Sequence, residues 1–359
     1  MPREDLAHFH SETRFAFQMM RLVSEGLEPM EALRVLRGVK TSDDWTRGLK
    51  AAGDRWARRA EEDLRLAHKV SARGAYRSAT HFYLGAALWN TPNPWGTGDI
   101  YRSAVENFRQ FNSLLERPAK VVELPFRDTT LPGYLYLPEP SRKKVPAVVL
   151  MGGADATKEE AYGFGVPMIL DRGIACLTLD GPGQGECLRF RSLYTIPEYE
   201  QVYGAALDFL ESIPEVDRSR LGIVGLSMGG YYVVRGATDA RVKAAVSWGA
   251  LYSVGGLNMS LLSTTIRFIT GSDSEEQMFD KIKSFTIEKV ASKVTCPVLL
   301  VHSGQDHLVS PDEVERVRQA LVNAEVDVNF YDDALHCCID RYLEARPRIF
   351  DWIADRLCK

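Results

Sequence analysis

The sequence predicts an α/β protein in two parts: a helical domain over residues 1–118, then a mostly parallel, doubly wound sheet over residues 119–359. Three observations predict it. The first 118 residues carry helical periodicity and almost no strand signal. Beyond Arg117-Pro118, apolar runs alternate with helical segments, as a parallel sheet buried on both faces requires. One of those runs ends in Gly225-Leu226-Ser227-Met228-Gly229, a turn that leads from strand into helix.

In the first part, Phe15, Met19, Leu22 and Val23 repeat at helical spacing. Residues 29–39 form a short helix with Met30, Leu33, Val35 and Leu36 on its apolar face. A long helix is expected over 43–70. Another covers 75–89 and ends at the breaker Thr91-Pro92-Asn93-Pro94, and a last one runs over 98–115. In the second part, 121–124 and 134–137 read as strands joined by a turn over 129–133. Buried strands follow at 147–151, 175–179, 221–226, 244–248, 298–302 and 326–331, with helices at 158–172, 197–213, 228–237, 311–320 and 341–357. The stretch between Trp248 and Val294 is too long for a plain crossover. It predicts a helical cap insertion over about 249–292, with helices within 251–270 and 274–289.

Composition excludes several classes. With 44 Lys+Arg against 48 Asp+Glu, the formal net charge is -4, and no basic stripe suited to nucleic acid is present. Arg55, Arg58, Arg59 and Arg65 are interleaved with Glu61, Glu62 and Asp63, which reads as a solvated helix face. No run reaches the roughly 18 apolar residues of a membrane span, and the Met-Pro-Arg-Glu-Asp start does not look like a signal peptide. The six cysteines (Cys176, Cys187, Cys296, Cys337, Cys338, Cys358) include no C-x-x-C pair. That argues against a disulfide framework or a metal site and for a reducing cytoplasm. No cofactor or metal is expected; the partner is a small-molecule substrate.

The chemistry centres on the G-x-S-x-G turn. Its sharp strand-to-helix bend lifts the Ser227 hydroxyl above the sheet and aims the Met228 N–H at the same point. A serine hydroxyl needs a base to remove its proton. His336 follows the strand at 326–331, and Asp306 follows the strand at 298–302, giving the chain order serine, acid, histidine. Asp306 would fix the imidazole tautomer and stabilise the imidazolium. Asp332 and Asp333 read as turn formers, and His307 as a rim residue. The loop Gly152-Gly153-Ala154-Asp155 offers the second oxyanion donor from Gly153 or Ala154, beside Met228. The Asp180-Gly181-Pro182-Gly183-Gln184-Gly185-Glu186 loop lacks the Lys-Ser/Thr of a phosphate loop and reads as a tight turn at the edge of the site. Candidate substrate contacts are His81, Tyr83, Tyr252, Asn258 and His307; His8, His10 and His68 read as helical-domain residues.

Four stretches together resemble the α/β-hydrolase superfamily, and within it the carbon–carbon bond hydrolases of the 2,6-dihydroxypseudooxynicotine hydrolase type and the fungal polyketide-shortening hydrolases of pigment synthesis. They are the run from Gly152 to Glu160, the run from Asp180 to Glu186, Ser247-Trp248-Gly249, and His336-Cys337-Cys338 followed by Arg346-Pro347-Arg348. The resemblance covers the chain from about Val121 to its end. It implies Ser227, Asp306 and His336 as a catalytic triad and a substrate enclosed between the two parts, and it allows a homodimer. One departure stands out. The nicotine-pathway members use an extra acidic residue after the Ser-Trp-Gly strand, whereas no Asp or Glu occurs here between Ser247 and Thr270; Tyr252, Ser253 and Asn258 are the polar groups on offer.

The functional expectation is hydrolysis of a carbon–carbon bond beside a ketone. The alternatives are ester, lactone or thioester hydrolysis or acyl transfer by the same three residues, and a non-catalytic ligand-binding protein on the same fold.

Overall fold

The computed structural model describes residues 18–88, 93–140, 143–154 and 156–358. Phe15, His8, His10, Trp89, Thr91-Pro92 and Asp155 lie outside the described residues. The chain forms two compact units, residues 1–118 and 119–359.

The first unit is helical: α1 described over 18–24, α2 (Pro29–Leu36), α3 (Ser42–Arg65), α4 (Lys69–Leu88) and α5 (Gly98–Ser113). Thr41 caps α3 reciprocally with Asp44, each side chain taking the other's backbone N–H. Trp45 is fully buried and donates its indole N–H to the Gly85 carbonyl at 2.9 Å, tying α3 to α4. The expected helix over 43–70 is cut at Leu66–His68, and α4 starts earlier than residue 75. Ala67 takes a left-handed φ of 60°. Its N–H bonds the Leu64 carbonyl, and the His68 N–H bonds the Asp63 carbonyl, which closes the end of α3. Glycine usually occupies that position, so an alanine gave no stop signal. In α2 the proposed apolar face is not a buried one: Ala32 is buried, but Met30 and Leu33 are exposed. The helix is set by Pro29 in its first turn and by Glu28, whose carboxylate accepts the Glu31 N–H.

The second unit is an eight-stranded sheet in the order β1-β2-β4-β3-β5-β6-β7-β8. The strands are β1 (Lys120–Phe126), β2 (Thr129–Tyr136), β3 (Val145–Met151), β4 (Ala175–Leu179), β5 (Val216–Leu226), β6 (Val242–Trp248), β7 (Val298–Ser303) and β8 (Val326–Tyr331). β1, β2 and β4 pair antiparallel; all other pairs are parallel. Every residue of β4 and β7 is buried, whereas β1 and β8 at the edges alternate. The β1–β2 turn is at Arg127-Asp128 rather than 129–133. Gly133 lies inside β2, where a Cβ would stand 2.6 Å from the Thr178 carbonyl oxygen.

The helices of this unit are α6 (Glu160–Phe164), α7 (Val166–Leu170), α8 (Gly185–Arg191), α9 (Glu200–Glu211), α10 (Met228–Gly236), α11 (Met259–Thr270), α12 (Glu275–Ile282), α13 (Glu313–Ala320) and α14 (Tyr342–Leu357). The single helix expected over 158–172 is two, broken at Gly165, because Pro167 has no N–H to continue the ladder. In the insertion after β6, helix begins only at Met259, where the Asn258 side chain accepts the Ser260 N–H; a short 3₁₀ turn at Val254–Gly256 precedes it. The insertion is tied to the segment after β7 by the Asn258 N–H to the Leu308 carbonyl at 2.9 Å and by a Leu257–Val309 bridge. No helix among the described residues is long and apolar enough to cross a membrane.

Relief of the left-handed alanine gives a direct test of the α3–α4 break. Ala67→Gly should stabilise the protein by about 1 kcal/mol. Denaturant unfolding measures it, and a destabilised variant would refute the strain at this turn.

Candidate active site

Ser227 sits between β5 and α10 with φ 57° and ψ -125°. This is a costly conformation for a residue with a side chain, and the surrounding packing enforces it. A Cβ on Gly225 would lie 2.3 Å from the Gly229 carbonyl oxygen, so the elbow closes only with glycine there. The Ser227 N–H is held by the Trp248 carbonyl of β6 at 2.7 Å.

The structure brings the three predicted chemical residues together. His336 Nε2 lies 2.9 Å from Ser227 Oγ, and His336 Nδ1 lies 2.7 Å from Asp306 Oδ2. The other Asp306 oxygen accepts the N–H groups of Leu308 and Val309, both at 2.9 Å, which fixes the carboxylate plane. Asp332 and Asp333 take no part in this chain. Burial disfavours the charge on Asp306, but His336 and the two backbone N–H groups outweigh it, and the carboxyl stays below its usual range. Burial likewise disfavours imidazolium at His336. The Asp306 carboxylate and the Cys337 thiol outweigh it and hold the imidazole well above its usual 6.5.

The His336 loop is itself strained. Cys337 and Cys338 both adopt left-handed backbone, with φ of 54° and 53°. Two bonds from the sheet hold them there. The Trp248 indole donates to the Cys337 carbonyl at 2.8 Å, and the Cys338 N–H donates to Ser303 Oγ at 3.0 Å. The Cys337 sulfur lies 3.4 Å from His336 Nε2. Sequence reasoning used these cysteines in the argument against disulfides and metals and as a family signature; their place in the strained loop that carries the histidine was not legible.

Of the proposed oxyanion donors, Met228 is the first residue of α10, so its N–H has no acceptor within the helix. Gly153 abuts the serine: a Cβ there would lie 2.8 Å from Ser227 Cβ and 3.1 Å from Oγ. Ala154 follows it, half-buried.

The substrate-contact candidates fare differently. His81 has Nδ1 2.8 Å from the Arg77 carbonyl and Nε2 3.0 Å from the Glu25 carbonyl. Burial lowers its pKa to about 4, so the neutral ring is an internal tie of the helical unit. Tyr83 donates its hydroxyl to Asp54 at 2.8 Å and locks α4 to α3. Neither polar group is left for a ligand. Tyr252 is half-buried, gives its N–H to Glu313 at 2.7 Å and lies under the Arg316 guanidinium. Asn258 caps α11 and donates to the His307 carbonyl at 3.1 Å, so it supports the loop after Asp306. His307 is half-buried, with its pKa lowered by burial and by the charge of His336.

A second cluster escaped the sequence reading. Lys158, fully buried, places Nζ 2.9 Å from Asp180, 2.7 Å from Glu186 and 2.8 Å from Glu159. Its own N–H donates to Asp180 at 2.8 Å. One ammonium faces three carboxylates. Burial first, then Asp180 and Glu186, raise the pKa of Glu159 against the pull of Lys158. Among the described residues no group of three or more His, Cys, Asp or Glu is arranged to hold a metal ion.

An eight-stranded sheet with an antiparallel second strand, a serine elbow after β5 and a histidine after β8 is the architecture of the α/β hydrolases. Residues 195–346 match the dienelactone hydrolase family model, and residues 100–257 match that of esterase FrsA-like. The hydrolase ORFZ of Pyricularia oryzae is 32% identical over 280 residues, which are 72% of this chain and 66% of that protein. This chain thus spans about two thirds of that relative's length. The α/β hydrolase xenA of Xenoacremonium sinensis is 28% identical over 366 residues, 85% of each chain. The solved 2,6-dihydroxy-pseudo-oxynicotine hydrolase is similar at TM-score 0.85 and 26% identity, over 94% of this chain and 95% of that one. The chain belongs to the α/β-hydrolase superfamily.

Two measurements test the site's electrostatics. By NMR, His336 should titrate above 6.5, its charged form held by Asp306. In Asp306→Asn the largest influence opposing burial is gone and only Cys337 is left to counter it, so the midpoint should fall; an unmoved midpoint would refute the coupling. Lys158→Met leaves buried carboxylates without their cation and should cost roughly 3–5 kcal/mol in denaturant unfolding. A loss under about 1 kcal/mol would show that water or rearrangement already screens the cluster.

Proposed function

We propose that this chain is a serine hydrolase that cleaves a carbon–carbon bond beside a ketone, in a β-dicarbonyl, acylphenol or polyketide-like substrate. The observation that carries the serine mechanism is the hydrogen-bonded chain from Ser227 Oγ through His336 to Asp306, at 2.9 and 2.7 Å. Ser227 Oγ attacks the ketone carbon while its proton passes to His336 Nε2. The oxyanion is met by the N–H of Met228 and those of Gly153 and Ala154, each such donor supplying about 3–4 kcal/mol of transition-state stabilisation. Collapse breaks the carbon–carbon bond, and its electron pair leaves on a carbon stabilised as an enolate. His336 returns the proton to that carbon. Water then gives a proton to His336 and its oxygen to the acyl carbon, and Ser227 leaves with the proton, releasing a carboxylic acid.

The bond assignment is supported by the likeness to 2,6-dihydroxy-pseudo-oxynicotine hydrolase over nearly the whole chain. A second reading keeps the three residues and changes the bond to an ester or lactone. The dienelactone hydrolase and FrsA-like esterase matches favour it, as does the lack of an acidic residue between Ser247 and Thr270.

A fluorophosphonate should label Ser227, and Ser227→Ala should lose labelling and turnover by roughly 10⁴-fold or more. Turnover by the folded variant at the wild-type rate would end the serine mechanism. β-Diketones and esters of matched size then separate the two bonds. The carbon–carbon reading expects the larger kcat/KM for diketones, and preference for simple esters would overturn it.

A further inference from the structure

We infer that Gln184 is a positioning residue of the oxyanion hole: its side-chain amide holds the peptide groups of Gly152 and Gly153 so that the next two N–H groups point away from it and toward the serine. The inference rests on the serine mechanism proposed above.

Gln184 lies in the turn after β4 and is 2% exposed. Its Oε1 accepts the Gly181 N–H at 3.1 Å. Its Nε2 donates to the Gly152 carbonyl at 3.0 Å and to the Gly153 carbonyl at 2.6 Å. The orientation of the amide is therefore fixed by its partners: two carbonyl oxygens require the NH₂ end, and a backbone N–H requires the oxygen end. Both NH₂ hydrogens and the oxygen are used.

The consequence follows from peptide geometry. Among the described residues no peptide bond is cis. In a trans peptide the carbonyl of one residue and the N–H of the next point in opposite directions. Drawing the Gly152 and Gly153 carbonyls onto Gln184 therefore turns the N–H groups of Gly153 and Ala154 away from it. Among the described residues neither N–H donates to a backbone carbonyl outside the regular elements. Gly153 is also the residue packed against Ser227. A loop of two glycines and an alanine has no side chain to hold its own peptide planes, so an outside group must do it.

The turn that carries Gln184 is anchored independently. Asp180 binds the backbone N–H groups of Lys158 and Glu186, at 2.8 and 2.9 Å, and the Lys158 ammonium. The loop from 152 to 158 is thus gripped near its start by Gln184 and at its end by Asp180.

The test uses the full chain and the rate of Ser227 labelling by a fluorophosphonate, beside turnover of the best ester or diketone. Gln184→Met keeps the length and removes the donors. It should lower the labelling rate and kcat by about 10- to 100-fold while KM stays within about twofold, because the loss falls on the transition state. The NMR titration of His336 should be unchanged, since the histidine is not touched. Gln184→Glu keeps the shape but sets a carboxylate against two carbonyls. It should be slower than Gln184→Met at neutral pH, and the gap should close as pH falls and the carboxyl regains an O–H donor. That pH-dependent ratio separates hydrogen-bond donation from filling of space, and it carries the test if the methionine variant does not fold. Wild-type labelling and kcat in either folded variant, or a loss expressed in KM alone, would overturn the inference. If Ser227→Ala itself retained wild-type turnover, the serine mechanism would fail instead, whatever the Gln184 variants did.

Discussion

The backbone of Ser227, held at φ 57° and ψ -125°, is the constraint around which the second unit is arranged. Such a conformation persists only where neighbours leave no alternative. Here they are the central strand β5 before it, α10 after it, and the β6 carbonyl of Trp248 that takes its N–H. The cost yields geometry. It leaves the hydroxyl 2.9 Å from His336 Nε2 and opens α10 at Met228, whose N–H has no acceptor within the helix.

The same economy governs the histidine. His336 is carried by a loop with two successive left-handed cysteines, and the bonds that hold it come from Trp248 on β6 and Ser303 on β7. Ser227 and His336 are therefore both tied to β6 through Trp248, and Ser227 Oγ and His336 Nε2 lie 2.9 Å apart. Asp306 receives two backbone N–H groups on the oxygen that does not face His336, which keeps the other oxygen trained on the imidazole. Across the sheet order, the loop after β3 is held by a glutamine and a buried ion cluster. In the proposed reaction, preorganisation of this kind would spare the reacting groups much of their reorganisation.

Much of this was legible in the sequence because it depends on local pattern. The G-x-S-x-G turn after an apolar run, and the acid and histidine after two later runs, are short motifs placed by strand order. What stayed hidden depends on pairing across long separations. Gln184 looks like any polar residue in a glycine-rich turn until β4 is seen beside β3, which brings it to Gly152 and Gly153. Lys158 opens a predicted helix and Asp180 and Glu186 bound a predicted turn, and only the folded chain brings them together and buries them. His81 and Tyr83 looked free for a ligand because a sequence does not display the carbonyls and the Asp54 carboxylate that occupy them. The break at Ala67 was missed for a different reason: its left-handed cap is made by a residue that ordinarily favours helix.

The absence of an acidic residue between Ser247 and Thr270 bears on the choice of bond through the position of the leaving atom. In either of the proposed reactions that atom is bonded directly to the carbon that Ser227 would attack. Whether it is oxygen or carbon, it would leave from the same tetrahedral centre, within reach of the proton that His336 would have taken from Oγ. A second acid is needed only when the electrons of the broken bond settle on an atom remote from that centre. A β-dicarbonyl fragment can be reprotonated at the departing carbon itself, so one histidine suffices. A fragment that must first be protonated at a distant position, such as an aromatic ring activated through its hydroxyls, asks for a donor that this stretch does not supply. The missing acid thus narrows the carbon–carbon reading toward leaving groups that are simple enolates, and it leaves ester cleavage chemically untouched.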